Sequence, residues 1–239
     1  MKAFIKWSGV VLAVVLLLGF IGFSVWSMQT YTPTAALKSE VALPKIVVDE
    51  DVIIEPENPN GTGIVIYPGA RVKNTAYSYY AQGLAREGYT VIVPKMPFNI
   101  AFFNSGRAEM YVERFPKVHE WFIGGHSLGG VAASMYADKH TVRGLILLAS
   151  YPAKTNDLSK KGFDVLSVFA ENDQLTTRDK INAAKPLLPS DTTYFQIDGG
   201  NHAQFGMYGQ QKGDGQATIS ALEQQDTLIA TTLRWLKQH

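Results

Sequence analysis

The chain opens on an apolar run unlike anything that follows. Residues 7–26 hold no charged side chain, and 20 residues at about 1.5 Å each make roughly 30 Å of helix, the thickness of a hydrocarbon core. Lys2 and Lys6 precede the run, and Trp7 and Trp26 stand at its ends as interfacial aromatics would. Length, charge order and aromatics predict one crossing over residues 1–28, with the N-terminus in the cytoplasm and the remainder outside. A cleaved signal segment has the same order of charge and apolar residues, and Val25-Trp26-Ser27 loosely fits its small-residue cleavage site. The length of the run and its bulky end favour the anchor. A buried core helix is the weakest reading, because a run apolar on every face rarely stays soluble.

Beyond it, residues 29–45 (QTYTPTAALKSEVALPK) mix polar residues with Pro33 and Pro44, hold no sustained period, and read as a linker of moderate stiffness. From residue 46 to 239 short β-rich runs alternate with helical spacing. Strands are predicted over 46–54, 63–67, 89–93, 120–123, 143–148, 164–169 and 192–197. Several are continuous apolar runs (IVIY, VIV, LILL), as befits strands buried on both faces of a parallel sheet. Helices are predicted over 75–86, 105–114, 128–138, 178–188 and 216–237. The last carries Ile219, Leu222, Ile229, Leu233 and Leu236 on one stripe. Strand then helix, repeated, predicts an α/β fold: a mostly parallel sheet, right-handed crossovers, and chemistry gathered at the carboxyl ends of the strands.

Composition narrows the chemistry. The 239 residues are 46% hydrophobic and 18% charged, with 22 basic against 21 acidic residues, a formal charge of +1. Setting aside Lys2 and Lys6 leaves 20 basic against 21 acidic, so the part after the apolar run is near neutral and nucleic acid is excluded as a partner. The absence of Cys excludes disulfides, thiolate metal sites, a Cys nucleophile and lipidation through Cys. No metal-ligand spacing, dinucleotide fingerprint or phosphate loop is present, and no cofactor or metal is expected.

After the 120–123 strand comes GGHSLGG, where Gly125, Ser127 and Gly129 form GxSxG at the head of a helix. A tight strand-to-helix turn lifts a Ser hydroxyl above the sheet, and the glycines remove side chains that would collide there. The bland alternative is a Gly-rich turn with Ser127 as N-cap. A Ser nucleophile needs a base and a group that orients the base. Among five histidines, His126 should point away from the hydroxyl, His119 and His140 lie at the wrong ends of their elements, and His239 is terminal. His202, in the IDGGNHAQFG loop after the last strand, is left as the base. Asp173, in FAENDQL after the 164–169 strand, is the orienting acid, with Glu171 its competitor; Asp198 reads as a loop hydrogen-bonder.

GGHSLGG, ENDQLTT and GGNHAQFG, in that order, resemble the α/β-hydrolase fold, specifically its small single-domain members similar to dienelactone hydrolases, over residues 46–239. The resemblance implies nucleophile Ser127, acid Asp173 and base His202. Dienelactone hydrolases proper carry Cys at the position of Ser127, so what it implies here is a serine esterase. Acyl transfer also needs oxyanion donors, expected from the backbone N–H of Leu128 and, in the YPGARV loop, of Ala70. Arg71 is a candidate for binding a substrate carboxylate or phosphate, or for pairing with a nearby Glu. In MPFNIAFFN, residues 96–104, Phe98, Ile100, Phe102 and Phe103 either line an acyl pocket or roof the core. The short connection over 150–162 leaves no room for a large lid.

The expectation is a membrane-anchored hydrolase with an extracytoplasmic catalytic domain, secreted if the first segment is cleaved. It would cleave a small-molecule carboxylic ester, lactone or thioester through an acyl-enzyme. An acyltransferase or amidase with the same residues, and a silent hydrolase fold used for binding, are the alternatives.

Overall fold

Continuous apolar runs become strands here because both faces of each are covered. In the computed structural model, which describes residues 2–41, 47–48 and 50–239, the strands are β1 (Val47–Val48), β2 (Asp51–Ile54), β3 (Thr62–Tyr67), β4 (Thr90–Val93), β5 (Glu120–His126), β6 (Gly144–Leu148), β7 (Asp164–Ala170) and β8 (Thr193–Ile197). They form one sheet in the order β1-β2-β4-β3-β5-β6-β7-β8. From β4 to β8 all neighbours are parallel, and β1 and β2 add an antiparallel edge. This is the expected mostly parallel α/β architecture.

The helices are α1 (Lys2–Met28), α2 (Ala35–Glu40), α3 (Ser78–Ala85), α4 (Glu109–Arg114), α5 (Leu128–Lys139), α6 (Arg178–Ala184) and α7 (Ala221–Leu236). Side chains alternate across the sheet with the period of two that pleating imposes. Ile64 and Ile66 of β3 join Tyr80, Leu84, Leu228 and Trp235 of α3 and α7 in one core. Val65 and Tyr67, on the other face, join Tyr111 of α4 and Ala132, Ala133 and Tyr136 of α5. At Gly83 an added Cβ would stand 2.5 Å from Ile229 Cδ1, so a residue with no side chain lets α3 and α7 approach. The stripe expected on the last helix is realised in part: Leu236 is buried, Ile229 and Leu233 pack on the same core as does Ile219 just before the helix, and Leu222 packs instead on the cluster of Val41 and Met207.

Boundaries shift where local chemistry decides. The last helix starts at Ala221 rather than 216, because Ser220 and Glu223 close a capping box: Glu223 N–H donates to Ser220 Oγ (3.2 Å) and Ser220 N–H to the Glu223 carboxylate (2.7 Å). Helix α6 gives way to a single 3-10 turn, Lys185–Leu187, where Pro186 falls. The strand expected over 46–54 is two strands: Val48 pairs with Asp51, and Glu50 in the reversal has φ 65°. Ile46, expected to begin the folded part, lies outside the described residues. A 3-10 segment, Ala101–Ala108, precedes α4 where one helix over 105–114 was expected. It is tied to the sheet by the buried Asp51, which accepts from Lys95 N–H (2.7 Å), Arg107 Nη2 (3.0 Å) and the Tyr111 hydroxyl.

Of the stretch read as a linker, residues 29–41 are docked on the domain, and residues 42–45 lie outside the described residues. Tyr31 bridges Val72, and the fully buried Leu37 of α2 clusters with Val41 and Met207. Thr34 caps α2, its hydroxyl accepting from Leu37 N–H at 3.3 Å.

Candidate active site

Because β5, β7 and β8 run parallel, the residues that follow them share one edge of the sheet. Ser127 sits between β5 and α5 with φ 53° and ψ −124°, a conformation that costs an L residue about 1–3 kcal/mol and persists only where its surroundings enforce it. The enforcement is visible. Ser127 N–H donates to Leu148 O (3.0 Å), and Ser150 Oγ donates to Ser127 O (2.6 Å). A Cβ at Gly125 would lie 2.4 Å from the Gly129 carbonyl carbon, and one at Gly129 would lie 2.2 Å from Tyr67 O. Only glycine fits either place, which is the physical content of the GxSxG pattern.

His202 and Asp173 are almost wholly buried, with His202 Nδ1 2.7 Å from Asp173 Oδ2. Asp173 Oδ1 accepts from Leu175 N–H (2.8 Å) and Thr176 N–H (2.6 Å). A carboxylate only accepts, so Nδ1 carries a proton, and in the neutral ring the lone pair is on Nε2. Ser127 and His202 border one open cavity of about 320 Å³, whose walls include Leu128, Val131, Tyr151 and Leu175.

Glu171, the competing acid, is occupied elsewhere, accepting from Gly199 N–H at 2.8 Å. Asp198 accepts from Gln196 Nε2 at 2.9 Å, the loop hydrogen bond expected of it. The N–H of Leu128 opens α5 and so has no intrahelical acceptor. Ala70 N–H has no acceptor among the described residues, and its neighbour Gly69 donates to the Tyr77 hydroxyl at 2.9 Å. Ala70 does not line the cavity.

Arg71, Phe98 and Phe102, expected to bind substrate, lie elsewhere and do not line the cavity of Ser127. The Arg71 guanidinium donates through Nε to Gln29 O (2.9 Å) and covers the Trp26 ring at 4.7 Å. Phe98, Phe102 and Phe103 are 42%, 52% and 54% exposed; Phe98 and Phe103 face α1, and Phe102 packs on Phe103. What draws these side chains away is a helix distant in sequence, which no local pattern could reveal.

Two features of the site have roles that no motif marks. Asp214 holds the His202 loop, Oδ2 accepting from Ala203 N–H (2.8 Å) and Oδ1 from His202 N–H (3.3 Å). His126, expected only to point away from the Ser127 hydroxyl, has a role of its own. It is fully buried, with Nδ1 2.9 Å from the Tyr77 hydroxyl and its ring 4.6 Å from that of His202. Burial, and secondly the charge of His202, hold its pKa well below the usual imidazole value. Since Tyr77 accepts from Gly69, its own proton points to His126, which stays a neutral acceptor there. Tyr77 thereby links the loop before Ala70 to the residue before Ser127.

A family model described as the alpha/beta hydrolase family matches residues 63–226. No curated protein matches the chain. Among solved structures, a predicted CIB-like hydrolase from Thermoplasma acidophilum superposes with a TM-score of 0.62 at 14% identity, covering 79% of this chain and 92% of its own. An alpha/beta hydrolase from the metagenome of Mar Chica lagoon sediments gives 0.57 at 19%, covering 79% and 95%. A thermophilic esterase from Thermogutta terrifontis, with butyrate bound, gives 0.57 at 11%, covering 84% and 97%. At these identities the likeness is one of fold.

Proposed function

The chain belongs to the alpha/beta hydrolase family, and on that premise we propose that it is a serine hydrolase that cleaves a carboxylic ester, lactone or thioester through an acyl-enzyme. The observation that carries the reading is that Ser127, in its strained turn, and the Asp173-bound imidazole of His202 border one cavity. Ser in place of Cys favours an esterase among relatives similar to dienelactone hydrolases.

In this reading His202 Nε2 takes the hydroxyl proton as Ser127 Oγ bonds to the carbonyl carbon. In the same reading the oxyanion that forms is held by the N–H groups of Leu128 and Ala70. The bond to the leaving alkoxide then breaks, and the alkoxide takes the proton from His202. Water repeats the sequence on the acyl-enzyme, releasing the acid and restoring Ser127. Asp173 fixes the imidazole tautomer and stabilises its cation. A cavity of about 320 Å³ is at the small end of ligand sites and suits a short acyl group. The catalytic domain is taken as residues 46–239. The helix Gly9–Met28, 20 residues with mean hydropathy 2.5 and only Ser27 of them buried, is its membrane anchor, or a leader in a secreted form; the anchor places the domain outside the cytoplasm.

The test is fluorophosphonate labelling together with hydrolysis of nitrophenyl esters of graded chain length. Ser127→Ala should lose all labelling and about 10⁴-fold or more in kcat, while Glu171→Gln should keep labelling and most of the rate. Full esterase activity in Ser127→Ala would refute the proposal, and transfer to added alcohols in preference to water would redirect it to an acyltransferase.

A further inference from the structure

The most apolar surface of the catalytic domain lies against its N-terminal helix, at one level of that helix. The Phe98 ring is 6.2 Å from Phe20 and 5.6 Å from Phe23, and Phe103 is 5.8 Å from Phe23. Phe102 continues the patch, 6.3 Å from Phe103 and half exposed. Asn99 Nδ2 donates to Ser27 O at 3.1 Å, fixing the loop to the helix end. Phe98 and Asn99 both have left-handed backbone, φ 53° and 55°. A bulky residue accepts that strain only where the presentation of its side chain is over-determined.

The levels along α1 say what surrounds this patch. Trp26, covered by the Arg71 guanidinium, has the makeup of an interfacial anchor: an aromatic ring beside a cation. At 1.5 Å per residue, Phe23 stands about 5 Å and Phe20 about 9 Å further into the apolar span. Their ring contacts therefore bring Phe98 and Phe103 to the same depth, the 5–10 Å at which interfacial apolar elements lie in a leaflet. Nothing else among the described residues covers the outward sides of these rings.

We infer that the loop of residues 97–103 is itself a membrane-embedded element. Phe98, Phe102 and Phe103 sit in the acyl region of the outer leaflet beside α1, and the domain rests on the bilayer rather than swinging below a tether. The loop follows β4 at the carboxyl edge of the sheet, and its Asn99 carbonyl accepts from Arg71 N–H (2.7 Å) in the loop of Ala70. The edge that carries Ser127 is thus the edge held to the membrane surface. The inference rests on reading α1 as a membrane anchor.

The natural chain has no Cys, so a single introduced thiol gives a unique label. The full chain, as Phe102→Cys, Leu17→Cys or Gly162→Cys, is labelled with an environment-sensitive dye and reconstituted in phosphatidylcholine vesicles. Gly162 precedes β7 at the opposite sheet edge, and a side chain there meets nothing. Circular dichroism and the unfolding midpoint check that each variant is folded. The label at 102 should lose most of its fluorescence to lipids with a nitroxide near the headgroup and be shielded from aqueous iodide. The label at 17 should respond to a nitroxide deep in the chains, and that at 162 to iodide alone. A label at 102 open to iodide and untouched by lipid nitroxides, with 17 still in lipid, overturns the embedded loop and leaves the anchor standing. A label at 17 that responds to iodide overturns the anchor, and the embedded loop with it.

Discussion

His126 shows how a motif residue can serve a site without touching substrate. Its ring lies between Tyr77, Phe205 and His202, wholly out of water, and burial is the first reason that its pKa falls well below 6.5. The folded chain keeps it neutral, whereas in the unfolded chain it takes a proton below about pH 6.5. Below that pH the unfolded state binds more protons, so stability is full above it and is lost as the pH falls, by at most about 1.4 kcal/mol per pH unit for one group. Urea unfolding between pH 7 and pH 5 should show this decline, and His126→Gln should flatten it whatever its own midpoint. An unchanged slope in the variant would assign the decline to other groups. The positions of Ser127, Asp173 and His202 at one sheet edge were legible because each stands within a few residues of the end of a strand. Asp214 and the Tyr77–His126 link were not, because what they do depends on distances between loops far apart in sequence.

At the scale of elements the alternation of strands and helices was readable, since burial on both sheet faces writes itself as IVIY and LILL. The short α2 was not. It has one buried apolar side chain, Leu37, and residues 29–45 show no period for that reason. Docking onto Met207, Tyr79 and Leu222 orders it, and its own propensity contributes little to a six-residue helix. Leu37→Ala should therefore act as a core truncation, lowering stability by roughly 2–4 kcal/mol, seen as a lower midpoint in thermal denaturation. A change within error would mean that α2 is held by Thr34 and Tyr31 without its apolar contact.

For the whole molecule, the consequence is that the helix and the catalytic domain share a surface, so they cannot be separated at residue 28 without cost. Residues 29–41 belong with the domain, through Tyr31 on Val72 and Leu37 on Met207, and a chain of residues 29–239 retains every side chain that borders the cavity. It should hydrolyse esters. It also loses Phe20, Phe23 and Trp26, leaving Phe98, Phe102 and Phe103 bare as one contiguous patch. Monomeric proteins rarely leave such patches uncovered in water. Light scattering on the eluting peak should show this chain self-associated, and replacing the three phenylalanines together by serine should return it to a monomer. Were residues 29–239 monomeric with all three rings intact, the patch would be too weak to hold an apolar partner. The exposure of those rings would then reflect a loop that tolerates water, and the contact with α1 would be incidental to where the domain sits.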